Sequence, residues 1–209
     1  RRHALAIVAF APLIAQMVGS VFNIWYNVIH IEPLLTEDQH NAFLASLLPY
    51  NAIAYSSAFF TWCWVVFSLH PAYRAALSGG NANSDSWRWA HRRAINLPWW
   101  SAVLSGSAWG LGIPFLLIPL SQTAEPVDPS VYAHLPISLM IGGVIAVTQG
   151  AFTVDMTCQR FLLPVLFPKA GAERTPGAMP LTLRGRGIMY AMAAGVCPIM
   201  ILLLLILAP

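Results

Sequence analysis

Residues 4–30 read "ALAIVAFAPLIAQMVGSVFNIWYNVIH", and this stretch decides the fold class. It contains no Asp, Glu, Lys or Arg over its whole length. An α-helix rises about 1.5 Å per residue, so a helix of this length exceeds the roughly 30 Å thickness of a bilayer's hydrocarbon core. The stretch therefore predicts a helix that crosses a membrane.

The rest of the chain has the same character. Of its 209 residues, 57% are hydrophobic and only 9% are charged, whereas soluble domains carry roughly 25% charged residues. Four further long apolar stretches follow the first, so the sequence predicts an all-α, polytopic transmembrane helix bundle with five spans. We place the spans at about 4–30, 45–69, 96–120, 132–157 and 187–208.

The charged residues predict how the bundle is oriented. The loops at 31–44 and 121–131 contain no Lys or Arg. With a cytoplasmic N-terminus, all eleven basic residues fall on the cytoplasmic side, mostly in the loops at 70–95 and 158–186. This distribution follows the positive-inside rule, so we predict a cytoplasmic N-terminus and membrane lipid as a partner. The basic charge is explained without a nucleic-acid partner.

The five-span count also makes a prediction about the parent protein. A cytoplasmic N-terminus places Pro209 on the opposite side of the membrane, directly after the apolar string "ILLLLILAP" at 201–209. We therefore expect a sixth span and a cytoplasmic output domain to follow.

Five polar residues of the first span recur at helical spacing. They are Gln16, Ser20, Asn23, Asn27 and His30. Their spacings of 4, 3, 4 and 3 confine them to an arc of about 80° on the helix. Lipid cannot satisfy these groups, so the stripe must face other helices or a wet cavity. Two interpretations stay open: interhelical hydrogen bonds worth about 0.6 kcal/mol each, or the lining of a ligand cavity.

The second span offers a partner for this stripe. Tyr50-Asn51 repeats the dipeptide Tyr26-Asn27 of the first span, and an antiparallel hairpin would bring the two dipeptides to the same depth. We predict hydrogen bonds between them, with chance repetition as the alternative. The hypothesised binding set for a lipophilic ligand is Gln16, Ser20, Asn23, Asn27, His30, Tyr50 and Asn51.

Asp155 is the acidic residue placed within a predicted span, near the inner end of the fourth. A carboxylate at that depth needs a cationic partner or a functional reason. Asp155 and Arg160 are therefore our predicted ion-pair or switch residues, with Arg184 and Arg186 as further candidate partners.

Motifs for catalysis and metal binding are lacking in the sequence. It contains no CxxC, no HExxH and no Walker loop, and its three cysteines lie in or beside apolar stretches. We therefore predict no catalytic residue, no metal site and no disulfide framework.

His30 and His134 are predicted to share one leaflet, which keeps a cofactor alternative open. They could ligate haem or another pigment, or help to bind quinone, in a subunit of a larger membrane complex. A weaker alternative is a metal site formed by His30, Glu32, His40 and His134. The leading interpretation requires no cofactor.

Four strings resemble a known family. They are "FNIWYNVIHIEPLLT" at 22–36, "RRAINLPWW" at 92–100, "SAWGLGIPFLL" at 107–117 and "LRGRGIMYAMAAGVCP" at 183–198. Together they resemble the N-terminal six-span membrane domain of bacterial class III adenylate/guanylate cyclases, in many of which a HAMP relay follows the last span. Similar membrane domains head other signalling proteins, such as PP2C-type phosphatases.

The resemblance implies a sensor or regulatory membrane domain in the bacterial inner (cytoplasmic) membrane. It implies a homodimer in which a lipophilic ligand or a change in the bilayer controls a cyclase that makes cyclic AMP or cyclic GMP. Any catalytic residues would lie in the output domain. A transporter is disfavoured because the five spans show no convincing inverted repeat.

Overall fold

A computed structural model describes residues 3–79, 85–167 and 175–206, and these residues form helices and connecting turns without a β-strand. The predicted all-α fold is therefore confirmed. Five helical segments are long and apolar enough to cross a membrane. We number them spans 1 to 5: Ala4–Leu34, Glu37–Leu77, Leu97–Ser121, Pro129–Leu166 and Leu183–Ile206.

Several spans contain more than one helical element. The α-helices are α1 (Ala4–Phe10), α2 (Leu13–Tyr26), α3 (Glu37–Phe67), α4 (His70–Leu77), α5 (Asp85–Ile95), α6 (Leu97–Ser121), α7 (Pro129–Thr157), α8 (Leu163–Leu166), α9 (Leu183–Ala191) and α10 (Cys197–Ile206). The π-helical turns are Asn27–Ile31, Cys158–Leu162 and Met192–Val196, and Glu32–Leu34 is a 3-10 turn. Each π turn rotates the side chains that follow it relative to a regular helix.

Span 2 begins well before the predicted residue 45, because a capping box fixes its start. Thr36 Oγ1 accepts a hydrogen bond from the Gln39 backbone N–H at 3.5 Å, and Gln39 Oε1 accepts one from the Thr36 N–H at 3.2 Å. These bonds satisfy donors that the first helical turn leaves free. Polar residues thus extend the helix beyond the apolar stretch that hydropathy detects.

The predicted loops at 70–95 and 158–186 also contain helices. α4 continues span 2 to Leu77, α5 covers Asp85–Ile95, and the end of span 4 runs on to Leu166. Residues 80–84 and 168–174 of these loops, and the predicted span end at 207–208, lie outside the described residues.

Side-chain hydrogen bonds show that span 1 runs in the opposite direction to spans 2 and 4. Trp62 Nε1 donates to the carbonyl oxygen of Ala9 at 2.9 Å, which joins the end of α3 to α1. At the other end, the Tyr26 hydroxyl lies 2.6 Å from His134 Nδ1, which joins the end of α2 to the start of α7. We call the Tyr26 end, which includes the loop at 122–128, the acidic end. The opposite end, with the Arg-rich segments, is the basic end.

Span 4 is the centre of the bundle. Half of its most apolar window is buried, against 12% for span 5. It packs against spans 1, 3 and 5. Two glycines allow span 3 to approach it closely: a Cβ on Gly142 or Gly143 would lie 2.8 or 2.9 Å from the side chain of Trp109. Span 5 is the least buried of the five spans.

α5 is attached to spans 2 and 3 by an arginine among tryptophans. Arg93 Nε donates to the carbonyl oxygen of Val65 at 3.2 Å. Its guanidinium carbon lies 5.1 Å from the ring centre of Trp64, 5.0 Å from that of Trp89 and 5.8 Å from that of Trp100. Such cation–π contacts fix α5 against the basic end of the bundle.

The other side of α5 carries a half-buried histidine. The His91 ring centre lies 4.1 Å from that of Phe167 and 5.5 Å from that of Trp87. Its Nε2 is buried without a hydrogen-bond partner among the described residues. Burial lowers the pKa of His91 below its ordinary value of 6.5, and a hydrogen bond with the Leu166 backbone opposes this shift.

We expect acid to weaken the packing of α5. The lowered pKa means that the unfolded chain takes up a proton on His91 before the folded chain does. Stability from this group is therefore complete above about pH 6.5 and falls as the pH drops towards the pKa of the folded state. His91→Phe should reduce the change in melting temperature between about pH 7 and pH 5. The same substitution at the exposed His70 is the control, and an equal effect there would contradict the prediction.

Candidate functional site

The polar stripe of span 1 begins with a glutamine that joins span 1 to span 3. Gln16 Nε2 donates to the hydroxyl oxygen of Ser105, and Gln16 Oε1 accepts a hydrogen bond from Trp109 Nε1 at 3.0 Å. Both groups of the amide are therefore used within the bundle. Ser105 and Trp109 are four residues apart and share one face of α6.

Further along, two asparagines and a serine form a closed ring of hydrogen bonds. Asn23 Nδ2 donates to Ser138 Oγ at 3.2 Å, and Ser138 Oγ donates to Asn27 Oδ1 at 3.1 Å. Asn27 Nδ2 completes the ring by donating to Asn23 Oδ1 at 3.0 Å. All three residues are buried. The ring links spans 1 and 4, so the predicted interhelical seam is confirmed for Gln16, Asn23 and Asn27.

The same stripe lines a cavity of about 410 Å³ between spans 1, 2 and 3. Five residues of the predicted binding set line it: Ser20, Asn23, Asn27, Tyr50 and Asn51. We call this space the inter-span cavity. Gln16 instead lines a neighbouring cavity of about 280 Å³, and His30 lines neither. The structure thus brings most of the set together, while ligand binding stays a prediction.

The cavity exists because spans 1 and 2 diverge towards the acidic end. α1 packs against α3 near the Trp62–Ala9 hydrogen bond, but α2 packs mainly against α7. The side chains of α2 that face span 2 are therefore left beside a gap. On the other side of the cavity, Gly112 allows span 3 to lie close to Tyr50 of span 2, since a Cβ at this position would lie 3.2 Å from the Tyr50 ring.

The predicted hydrogen bonding between the two Tyr-Asn dipeptides is wrong. Tyr26 is fully buried and bonds to His134, while the Tyr50 hydroxyl donates to the carbonyl oxygen of Ala108. Asn27 belongs to the ring with Ser138. Because α2 and α3 diverge, Asn27 and Asn51 line the same cavity without bonding to each other.

Two polar side chains in the cavity lining have no hydrogen-bond partner within the described residues. They belong to Asn51, which is half-buried, and Glu32, which lies at the acidic end. Tyr55 differs, because its hydroxyl lies close enough to that of Ser20 to interact with it. An unpaired amide beside hydrocarbon costs free energy unless water or a ligand satisfies it. Asn51 and Glu32 are therefore the groups available to a bound molecule.

The rim of the inter-span cavity is apolar and faces outward. Ile24, Val28 and Leu48 contribute to its lining and are 61%, 49% and 67% exposed. They belong to two helices that are long and apolar enough to cross a membrane, and in a bilayer their exposed surfaces would face hydrocarbon. A ligand that enters here would come from the bilayer.

The histidines of the cofactor alternative lie near Tyr26. His134 Nδ1 is hydrogen-bonded to the Tyr26 hydroxyl, and the His30 ring centre is 4.8 Å from that of Tyr26. Neither histidine lines the inter-span cavity. Among the described residues, no three His, Cys, Asp or Glu side chains are grouped as a metal site would require. The weaker metal alternative of His30, Glu32, His40 and His134 is therefore not assembled.

Asp155 pairs with Arg186 rather than with Arg160. Its Oδ2 lies 2.7 Å from Arg186 Nε and 2.8 Å from Gln159 Nε2, and its Oδ1 lies 3.4 Å from Arg186 Nη2. Arg160 is five residues further along, about 140° around a helix, and stands over the Phe161 ring instead. The ion pair joins span 4 to the start of span 5, beside a cavity of about 430 Å³.

Several residues of the site were not in the predicted binding set: Glu32, which was named only in the metal alternative, and Tyr55, Ser105, Trp109 and Ser138. For Tyr55 a signal existed, because it follows Asn51 by four residues and so shares its helical face. Ser138 gives no comparable signal, since its partners lie on a span that is distant in sequence.

Comparison with known proteins adds no further constraint. The chain matches no protein-family profile, no curated protein and no solved structure. The functional argument therefore depends on the residues and geometry described above.

Proposed function

We propose that this chain is the membrane sensor domain of a signalling protein whose output domain is a nucleotide cyclase. The observation that carries the proposal is the inter-span cavity, which leaves Asn51 and Glu32 unpaired behind an apolar rim. Stable transmembrane packing pairs its polar groups within the bundle, as the Asn23–Asn27–Ser138 ring does. Unpaired groups at such a site suit the reversible binding of a lipophilic ligand. The cyclase output is what the family resemblance implies.

The proposed orientation places the basic end in the cytoplasm of a bacterium, with the N-terminus on the same side. Support comes from the sequence, where the connections at 31–44 and 121–131 lack Lys and Arg. The inter-span cavity then opens in the outer leaflet, and span 5 begins at the cytoplasmic face. We further propose that the chain acts as a homodimer.

Signal transfer in this proposal depends on span 5. A ligand shifts a conformational equilibrium only if it binds the two states with different affinity. Closure of spans 1 and 2 around a ligand would supply that difference and would press on span 4 through the Asn23–Asn27–Ser138 ring. Span 4 holds span 5 through the Asp155–Arg186 ion pair, so a change in span 4 reaches the weakly buried last span.

Expression of the full-length gene in a cyclase-deficient bacterium tests the output. We expect cyclic AMP or cyclic GMP to accumulate in cells that make the full-length protein. Cells that make residues 1–209 alone are the control and should accumulate neither. If the full-length protein is present in the membrane and neither nucleotide rises above this control, the cyclase proposal fails.

The cofactor-binding alternative is supported by the position of His30 and His134 next to the same tyrosine. An absorption spectrum of the purified protein separates the two functions. A Soret or chlorin band would favour a haem- or pigment-binding subunit of a larger complex.

A further inference from the structure

We infer that the inter-span cavity selects an amphiphile whose head group donates hydrogen bonds and carries no negative charge, such as a long-chain alcohol or amine. The inference rests on the sensor role proposed above, because it names the ligand class of the same site. Three properties of the lining residues support it: their hydrogen-bonding capacity, their charge and their apolar surroundings.

The two unpaired groups define the hydrogen bonding of the head. The Glu32 carboxylate only accepts hydrogen bonds, whereas the Asn51 amide both donates and accepts. A hydroxyl or an ammonium group can donate to Glu32, and Asn51 can bond to either a hydroxyl or a neighbouring polar atom. A head without a donor would leave Glu32 unsatisfied after displacing its water, which costs binding free energy.

The charge of the lining excludes an anionic head. The residues that line the cavity include Glu32 but no Lys, Arg or His. A carboxylate or phosphate would therefore enter a partly desolvated space next to a like charge, without a cation to offset it. An ammonium head would be attracted instead, and a hydroxyl head would be tolerated.

The other polar residues of the lining are already paired and do not compete for the ligand. The Tyr50 hydroxyl bonds to the Ala108 carbonyl, and Asn23 bonds to Asn27 and Ser138. The hydroxyls of Tyr55 and Ser20 lie close enough to interact with each other. These bonds also hold the walls in place before a ligand arrives. Selectivity is consequently concentrated at Asn51 and Glu32.

The surroundings accept an alkyl tail. The cavity of about 410 Å³ is within the usual size range of small-molecule sites. A second cavity, of about 280 Å³, shares Tyr55 and Ala108 with it and is lined mostly by apolar groups. A third, of about 500 Å³, shares Tyr50 and Ala108 and runs along the outer face of spans 2 and 3. Both cavities lie next to the inter-span cavity and offer apolar surface to an alkyl tail.

Competitive photolabelling with three molecules of the same chain length tests the head-group preference. The full-length protein in nanodiscs of phosphatidylcholine is labelled with a diazirine analogue of 1-dodecanol, and the labelled peptides are identified by mass spectrometry. We expect labelling of spans 1 and 2 around Ile24, Val28 and Leu48. Unlabelled 1-dodecanol and dodecylamine should compete at least tenfold better than dodecanoate.

Two variants test whether Asn51 and Glu32 produce the head-group preference. Asn51→Leu should weaken competition by 1-dodecanol about fivefold to tenfold, as expected for one lost hydrogen bond. Glu32→Gln should reduce the preference for dodecylamine over dodecanoate by at least about tenfold. The matched controls are Gln149→Leu, at an exposed amide of span 4, and Glu37→Gln, in the first turn of α3. Both controls lie outside the cavity lining and should change neither value.

Some results would overturn the inference. Equal competition by the three molecules would show partitioning into the bilayer without a selective site. Stronger competition by dodecanoate would refute the charge argument. Labelling spread over all spans would refute the location. The cyclic-nucleotide assay is independent: selective labelling without nucleotide production would keep the ligand class and refute the proposed output.

Discussion

Gly19→Ala is expected to destabilise the protein by about 3 kcal/mol, at the upper end of the cost of overpacking a core. A Cβ at this position would lie 2.6 Å from the carbonyl oxygen of Gly142 and 3.3 Å from both Ala146 Cβ and Trp109 Cζ2. The nearest atom belongs to the backbone of span 4, so a rotamer change cannot relieve the contact. Span 1 must move away from span 4 instead.

That movement would reach the polar seam. Gln16 and Asn23 lie on either side of Gly19 and make the hydrogen bonds that join span 1 to spans 3 and 4. Separation of the helices would stretch bonds to Trp109 and Ser138 at the same time. Loss of hydrogen bonds inside the bundle leaves polar groups in an apolar environment, which adds to the steric cost.

Unfolding by SDS in mixed micelles, followed by tryptophan fluorescence, measures this effect. Gly110→Ala is the matched control, because Gly110 is also helical and a Cβ there would have no heavy atom within 4 Å. It should be neutral within about 0.5 kcal/mol. Similar losses for the two variants would show that the contact between Gly19 and Gly142 is unimportant.

Local patterns in the sequence were sufficient to predict the helical class, the number of spans and the polar stripe of span 1. Charge depletion and apolar length depend on the sequence alone, and so does the spacing of Gln16, Asn23 and Asn27. The starts of the helices were less accurate, because a cap such as Thr36–Gln39 extends a helix into polar sequence. A hydropathy profile does not detect that extension, because the added residues are polar.

The choice of neighbours could not be predicted in the same way. The repeated Tyr-Asn dipeptide suggested that spans 1 and 2 pair along their length, but α2 packs on span 4. That choice depends on Gly19 and Gly142 approaching closely, which is a property of two distant segments together. The cavity follows from the same choice. Asn51 was therefore predicted as a polar lining residue, whereas the absence of a partner for its amide emerged only from the structure.

For a related reason, the sequence did not identify which arginine pairs with Asp155. Three arginines were near enough in the predicted topology, and Arg160 was the nearest in sequence. The structure favours Arg186 because span 5 starts beside the end of span 4. Gln159, four residues after Asp155, lies on the same face and completes the site.

Arg186→Ala is expected to release span 5 from span 4. The Asp155 side chain is 9% exposed, so the substitution leaves a nearly buried carboxylate that keeps, among the described residues, its hydrogen bond from Gln159. Breaking a buried ion pair by removing one partner costs about 3–5 kcal/mol. Because 33% of the Arg186 side chain is exposed and screened by water, we expect a value nearer 2 kcal/mol.

Thiol labelling reports the release at the relevant span. Cys197 of span 5 is 3% exposed and packs in the cluster near Leu204 and Ile141. If Arg186→Ala loosens span 5, the rate at which N-ethylmaleimide modifies Cys197 should rise about tenfold or more, because labelling requires local opening. Arg184→Ala is the matched control: Arg184 lies in the same helix, is exposed and forms no ion pair or side-chain hydrogen bond with the described residues. Cys197 in the Arg184→Ala variant should be labelled at the same rate as in the wild type.

The same variant separates two roles for the ion pair. If Asp155 and Arg186 only anchor span 5, Asp155→Asn should restore slow labelling to Arg186→Ala, because it removes the unpaired charge. If the pair also transmits the signal, the double variant should label slowly and yet fail to change its cyclic-nucleotide output when 1-dodecanol is added. A double variant with normal labelling and a normal response would limit the pair to anchoring. Rapid labelling that persists in the double variant would instead show that the arginine itself, rather than the charge balance, holds span 5 in place.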